Sequence, residues 1–183
     1  MDTKKDIRKR VFALRREASE QRIAENSREI FRKVCDMAAY REAEAVYAYM
    51  DYNREVMTRE FICRAWADGK QVAVPKVHGR DMVFYILEDF SQLEEGYFGI
   101  PEPARGEAAE QERALMIVPG VAFDAERHRI GYGQGFYDRY LEKHPHHPTI
   151  AVAFQFQMIG QVPHESTDIR PDCLVTEARI IYG

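Results

Sequence analysis

Cysteine is scarce in this chain, and no two cysteines are close enough in sequence to act together. Cys35, Cys63 and Cys173 are scattered, odd in number and never in a C-x-x-C pair, which argues against a disulfide framework and against a thiolate zinc site. The cytoplasm is the compartment such usage suggests. No apolar run approaches the roughly 18 residues of a membrane span, and the opening residues lack the apolar stretch of a signal peptide. No membrane partner is expected. The glycines follow neither common nucleotide fingerprint: G-x-G-x-x-G is absent, and so is a P-loop G-K-[ST]. There is also no internal repeat and no low-complexity tract.

What is present suits one globular domain. The chain has 183 residues, 45% hydrophobic and 31% charged, long enough for one substantial core and short for two. We therefore expect a single domain over residues 1–183. The net charge of -4 conceals an asymmetry, since residues 1–22 carry eight Lys or Arg against four acids and the remainder holds eighteen bases against twenty-six acids. The acids and regular apolar spacing of that first segment make it one face of a folded helix rather than a nucleic-acid arm. No nucleic-acid partner follows, and a monomer is expected.

Apolar Ile7, Val11, Leu14 and Ala18 recur at helical spacing after Thr3, a suitable N-cap, while Lys4, Arg8 and Arg15 line a neighbouring stripe. A second helix from about Ser19 turns Ile23, Ile30, Phe31, Val34 and Met37 inward, giving a helical hairpin. Ala45–Met50 then reads as a buried strand, Thr58–Asp68 as a helix stopped by Gly69, and Gln71–Pro75 as a strand, a βαβ unit that implies a parallel pair. Further strands are expected at Met82–Ile86, at the apolar run Ala114–Gly120, at Thr149–Phe154 and near the end of the chain. A short helix is expected at Phe136–Lys143, and a Gly and Pro rich loop at Gly96–Gly106. The fold class is α/β: a three-layer α/β/α domain with a mainly parallel central sheet, which binds ligands beyond the carboxyl ends of its strands.

The chemistry concentrates in Arg129–Asp138, RIGYGQGFYD. Gly131, Gly133 and Gly135 let the backbone turn and approach a ligand closely, and the run feeds a helix whose first amides and dipole suit phosphate. Arg129 adds a fork matched to phosphoryl oxygens. Asp138, an acid beside a phosphate site, makes sense with a Mg²⁺ between them. An anion-binding loop of an enzyme holding nucleotide phosphates is the result.

The run VPGVAFDAERHRIGYGQGFYDRYL resembles the signature of the 5-formyltetrahydrofolate cyclo-ligase (methenyltetrahydrofolate synthetase) family. KKDIRKRVFALRREAS resembles its basic first helix, and YMDYNREVMTREFICRAWADGKQVAVPKV its first strand, acidic substrate loop and following helix and strand. Ile130 and Phe136 stand where the commoner form has Leu and Tyr, and Gln134 where many members have Gly or Lys. The resemblance implies a fold of the ribose-phosphate isomerase and CoA-transferase type. It also implies ATP- and Mg²⁺-dependent closure of 5-formyltetrahydrofolate to 5,10-methenyltetrahydrofolate.

Roles follow from the same resemblance. Lys4, Lys5 and Arg8 would contact ATP, together with the loop Arg129, Ile130, Gly131, Tyr132, Gly133, Gln134, Gly135, Phe136 and Tyr137. Met50 and Glu55 would hold the folate, with Tyr137 near its formyl end, and Arg129 and Tyr137 would serve the reaction. Asp138 would bind Mg²⁺ with a second acid, Asp168 in preference to Asp172. A sugar-phosphate isomerase-like enzyme of the same fold would leave the basic helix without a task, and a non-catalytic folate or nucleotide binder would be expected to carry a damaged loop. His144, His146 and His147 lack metal-ligand spacing, and Trp66 reads as packing. Tyr97, Phe98 and Pro101 are placed to close over the pterin.

Overall fold

Strands that are apolar on both faces need cover on both faces, and a computed structural model, which describes residues 2–183, supplies it with helices. The helices are α1 (Lys4–Glu17), α2 (Glu20–Asp36), α3 (Ala38–Glu42), α4 (Arg59–Ala67) and α5 (Phe136–Lys143). The strands are β1 (Ala45–Tyr47), β2 (Gln71–His78), β3 (Asp81–Ile86), β4 (Leu93–Glu95), β5 (Pro101–Pro103), β6 (Leu115–Val118), β7 (Ala122–Phe123), β8 (Arg129–Ile130), β9 (Thr149–Val152), β10 (Cys173–Val175) and β11 (Ile180–Tyr182).

The central sheet has seven strands in the order β11-β10-β9-β6-β1-β2-β3. Its middle is parallel, and the edge strands β3 and β11 are antiparallel to their neighbours. Alternate side chains separate into two cores, as the two-residue strand period requires. Val46, Val72, Leu115, Ile117 and Val152 pack with α2 and α4 on one face. Tyr47, Ala73, Met116, Val118 and Leu174 pack with Tyr140 and Leu141 of α5 on the other. The expected three layers and the parallel β1–α4–β2 unit are both present.

Four sequence expectations change. The first two helices do not form a hairpin, because their apolar residues enter different clusters: Ile7 and Val11 of α1 pack with Val121, Ala122, Ile130 and Val162, whereas α2 covers the sheet. The buried residues of α1 are Ile7, Val11 and Arg15, so the arginine takes the inward position expected of Leu14. β2 continues through Pro75 to His78, since beyond Ala73 it pairs only with β3 and the missing N–H of proline is not needed by β1. Finally, the Gly and Pro rich loop Gly96–Gly106 is partly strand, because its Pro101–Pro103 pairs antiparallel with β4 just before it.

Two elements lack sequence signals altogether. One is α3. The other is the hairpin of β7 and β8, whose turn is organised by Asp124: its Oδ1 accepts from the Glu126 and His128 amides at 3.0 and 2.9 Å. This hairpin delivers Arg129 to the carboxyl end of the sheet. From β1 the chain runs outward to β2, and from β6 it runs the other way to β9, so the crevice between β1 and β6 is the topological switch point.

Candidate active site

A cavity of about 630 Å³ opens at that switch point, within the range of small-molecule sites. The loop after β1 supplies one wall with Met50, Tyr52, Asn53 and Glu55. The glycine loop from Gly131 to Gly135, with Phe136, Tyr137 and Asp138, supplies the opposite wall. Lys4 and Arg8 reach in from α1, and Tyr97, Phe98, Ile100 and Glu102 come from the β4–β5 region.

The glycine loop is built for close approach. Gly133 and Gly135 have φ of +104° and +67°, conformations that strain any residue with a Cβ. A Cβ at Gly133 would sit 3.4 Å from the Arg8 guanidinium, whose Nε donates to the Gly131 carbonyl at 2.8 Å. Gly135 is the N-cap of α5 and offers no side-chain cap, so the first amides of that helix remain available to an anion.

Arg129 is 8% exposed. Its Nη2 donates to Asp138 Oδ1 at 3.0 Å and its Nη1 to the Pro119 carbonyl at 3.3 Å, while Nε has no partner. The Tyr137 hydroxyl is also buried without a partner, and burial keeps that phenol protonated far above its usual range. Two donors deprived of water and protein partners next to a glycine loop are consistent with a ligand that supplies acceptors.

Two carboxylates line the cavity beside Arg129 and Lys4. Asp138 Oδ1 also accepts from the Ile169 amide at 3.1 Å. Asp168 accepts from Lys4 Nζ at 3.1 Å and from the Glu165 amide at 2.9 Å. Burial works against its ionisation, yet the Glu165 amide and the Lys4 ammonium outweigh burial and hold the carboxyl below its usual range. Among the described residues no three His, Cys, Asp or Glu side chains form a ready-made metal cage. Asp138 and Asp168, which both line the cavity, are oxygen donors of the kind Mg²⁺ takes one or two of before completing its shell with phosphate oxygens and water. Asp172 is elsewhere, capping β9 through the Thr149 amide and hydroxyl at 2.8 and 3.0 Å.

Glu55 faces the glycine loop from the other wall. It is 6% exposed, and one carboxylate oxygen accepts from the Tyr52 amide at 2.8 Å. Burial pushes its carboxyl up to about 7, against the opposing pull of Arg15, the Tyr52 amide and the Tyr132 hydroxyl. Asn53 and Arg54, at φ of 49° and 57°, put two consecutive non-glycine residues in the left-handed region just before it, a strain typical of ligand loops.

Relatives with the same organisation are known. The chain matches the 5-formyltetrahydrofolate cyclo-ligase family over residues 1–177. The chain belongs to the 5-formyltetrahydrofolate cyclo-ligase family. A "probable 5-formyltetrahydrofolate cyclo-ligase" of Schizosaccharomyces pombe is 30% identical over 172 residues, which cover 83% of this chain and 84% of that one. The cyclo-ligase of Escherichia coli K12 is 30% identical over 146 residues, 75% of this chain and 80% of its own. The 5,10-methenyltetrahydrofolate synthetase of Aquifex aeolicus, solved by NMR, superposes with a TM-score of 0.86 at 32% identity, covering 98% of this chain and 92% of that one.

The protein is thus an enzyme of folate metabolism, a ligase of the cyclo-ligase type. Within this cyclo-ligase the cavity gathers Lys4, Arg8, Met50, Glu55, Arg129–Asp138 and Asp168, but not Lys5, which is exposed on α1 and does not line it. Ile130 is 1% exposed and packs with Ile7 and Val11, so it offers a ligand little beyond backbone. Gln134 is exposed, and its carbonyl accepts from Arg139 at 2.7 Å. Tyr97 and Phe98 do line the cavity, whereas Pro101 does not. Trp66 is structural, donating to the Leu87 carbonyl at 2.9 Å. Phe12, Glu102 and Glu165 also line the cavity, and Arg15 donates to the Tyr132 hydroxyl, at positions the sequence motifs do not mark. Arg15 alone left a signal, a charge four residues after Val11 on an apolar stripe.

Proposed function

We propose that this cyclo-ligase uses ATP to activate the formyl oxygen of 5-formyltetrahydrofolate, and that the two walls of the cavity divide the substrates between them. The observation that carries the assignment is the facing of a glycine loop with unpartnered donors against a buried carboxylate across one cavity. Nucleotide phosphates belong with the loop, where Lys4, Arg8, Arg129 and the first amides of α5 supply positive potential. The pterin belongs with Glu55, because a carboxylate accepts from adjacent ring donors, and Met50 adds an apolar contact.

The formyl oxygen attacks the γ-phosphorus of ATP, and ADP leaves. The side-arm nitrogen of the folate then attacks the activated formyl carbon, loses its proton, and phosphate departs as the ring closes. An amide oxygen is a weak nucleophile, so the protein contributes alignment and electrostatic stabilisation rather than a covalent intermediate. Arg129 would offset charge on the transferred phosphoryl group. Tyr137, neutral and with a free hydroxyl, can donate a hydrogen bond to an oxygen near the reacting centre. Asp138 and Asp168 would hold a Mg²⁺, which when bound neutralises phosphate charge.

The test is direct. Purified protein with 5-formyltetrahydrofolate, MgATP and buffer should develop the methenyl chromophore and ADP in equal amounts. Methenyl formation independent of ATP, or ADP release without ring closure, would overturn the assignment. No helix among the described residues is long and apolar enough to cross a membrane. We further infer a cytoplasmic monomer, and sedimentation of the purified chain checks the second part.

A further inference from the structure

Arg15 is a cation in a core position. It follows Ile7 and Val11 at four-residue intervals on the buried stripe of α1 and is 1% exposed. Desolvating a guanidinium is costly, and an apolar residue of similar volume would serve packing alone. Its hydrogen bonds show what packing does not explain. Nη1 donates to the Tyr132 hydroxyl at 2.6 Å and to the Asn53 carbonyl at 3.3 Å, and Nη2 donates to the Gly120 carbonyl at 2.9 Å. The three acceptors belong to the glycine loop, the Glu55 loop and the turn after β6. The Arg15 guanidinium also lies 5.9 Å from the Tyr132 ring centroid. From the other direction Arg54 donates to the carbonyls of Arg15 and Ala18, so the end of α1 and the Glu55 loop hold each other.

We propose that Arg15 is a positioning residue that locks the Glu55 loop to the glycine loop, so that occupation of one side of the cavity orders the other. The proposal rests on the assignment of folate to the Glu55 loop and nucleotide to the glycine loop. Two consequences follow. Folate and nucleotide bind cooperatively, because whichever arrives first fixes loops that the second then need not order. Arg15 also supplies the positive charge beside Glu55, whose other ionisable or polar neighbours are Asp51, Tyr49, Tyr132, Tyr137 and the Tyr52 amide. Without Arg15 the Glu55 carboxyl titrates at still higher pH.

The experiment compares wild type, Arg15→Lys, Arg15→Met and Val11→Ala, the last trimming the packing of the same helix without removing a hydrogen bond to either loop. Calorimetry measures 5-formyltetrahydrofolate binding with and without a non-hydrolysable ATP analogue, and turnover gives kcat/KM for folate from pH 5.5 to 9. In wild type the analogue should tighten folate binding by about fivefold or more, the usual scale of such coupling. Arg15→Met should abolish that synergy and move the acidic limb of kcat/KM to higher pH. Arg15→Lys should restore part of both, and Val11→Ala should keep both. If Arg15→Met does not fold, Tyr132→Phe removes one bond of the same bridge from its other end, and weakened synergy is expected there. Equal synergy in wild type and variants, no synergy in wild type, or identical behaviour of Arg15→Met and Val11→Ala would overturn the proposal. Failure of wild type to produce methenyl chromophore and ADP would instead overturn the functional assignment, while the calorimetry would still report on loop coupling.

Discussion

Glu55 is a carboxyl whose protonation is split between two demands. With its pKa at about 7 rather than the usual 4.5, it favours the folded state when protonated. That contribution is fully present below about pH 4.5 and is lost as pH rises through 7. Full burial makes the effect sizeable, on the order of 3 kcal/mol for a shift of this size. Glu55→Gln should therefore melt increasingly above wild type as the pH goes from 5 to 8 in ligand-free protein, and a difference in Tm that stays flat would refute the assignment. The same variant should raise KM for folate by about tenfold or more, the effect of losing one charged hydrogen bond. Asp138 poses a simpler test, since its Oδ1 already accepts from Arg129 and Ile169 and an asparagine can preserve that acceptor. Asp138→Asn should keep the fold by circular dichroism and require roughly tenfold more Mg²⁺ for half-maximal turnover, as expected for loss of one carboxylate ligand. An unchanged Mg²⁺ dependence would exclude Asp138 from metal binding.

Helix α1 serves the site at both ends. Its start is fixed by a capping box in which the Asp6 amide donates to Thr3 Oγ1 and the Thr3 amide to Asp6 Oδ2, each at 3.2 Å. Removing such a cap costs about 1 kcal/mol, which in a chain of this size lowers Tm by roughly 2 to 4 °C. Thr3→Ala should show that loss together with a severalfold rise in KM for ATP, because Lys4 and Arg8 lie in the turns it stabilises. A matching rise in KM for folate would contradict the division of the cavity. The cap was legible in the sequence, as were α2, α4, α5 and the principal strands, because strong periodicity and glycine or proline stops coincided there. What α1 packs against was not legible. Helical spacing reports which face is inward but not its partner, and Arg15 disguised the true stripe by occupying a core position with a charge. The β7–β8 hairpin escaped for another reason: strands of two residues carry no period, and the Asp124 turn works through backbone amides.

Across the molecule, the two loops meet because the order in which the chain adds strands reverses between the parallel neighbours β1 and β6, and nothing local in the sequence encodes that meeting. The glycine loop could be recognised from its own chemistry, whereas Glu55 gained meaning from family resemblance and Glu102 from neither. Their juxtaposition depends on strand order, which is a property of long-range pairing. The same layout divides the core unevenly. The sheet is clamped between two large apolar clusters, but the apolar packing of α1 is a small third one built on Ile7, Val11, Val121, Ala122, Ile130 and Val162, supplemented by the polar ties of Lys4, Arg8 and Arg15. A helix docked through so few buried side chains can detach while the sheet remains intact, as cooperative subunits of native proteins do. Amide hydrogen exchange should then find the α1 amides opening at a lower free energy than those of β6, with the gap closing when folate and nucleotide are both bound. Equal protection in the free protein would mean that the helix and the sheet unfold as one. If the gap is there, undocking of α1 withdraws Lys4 and Arg8 from the cavity and Arg15 from the two loops in a single motion, and product escape acquires a door.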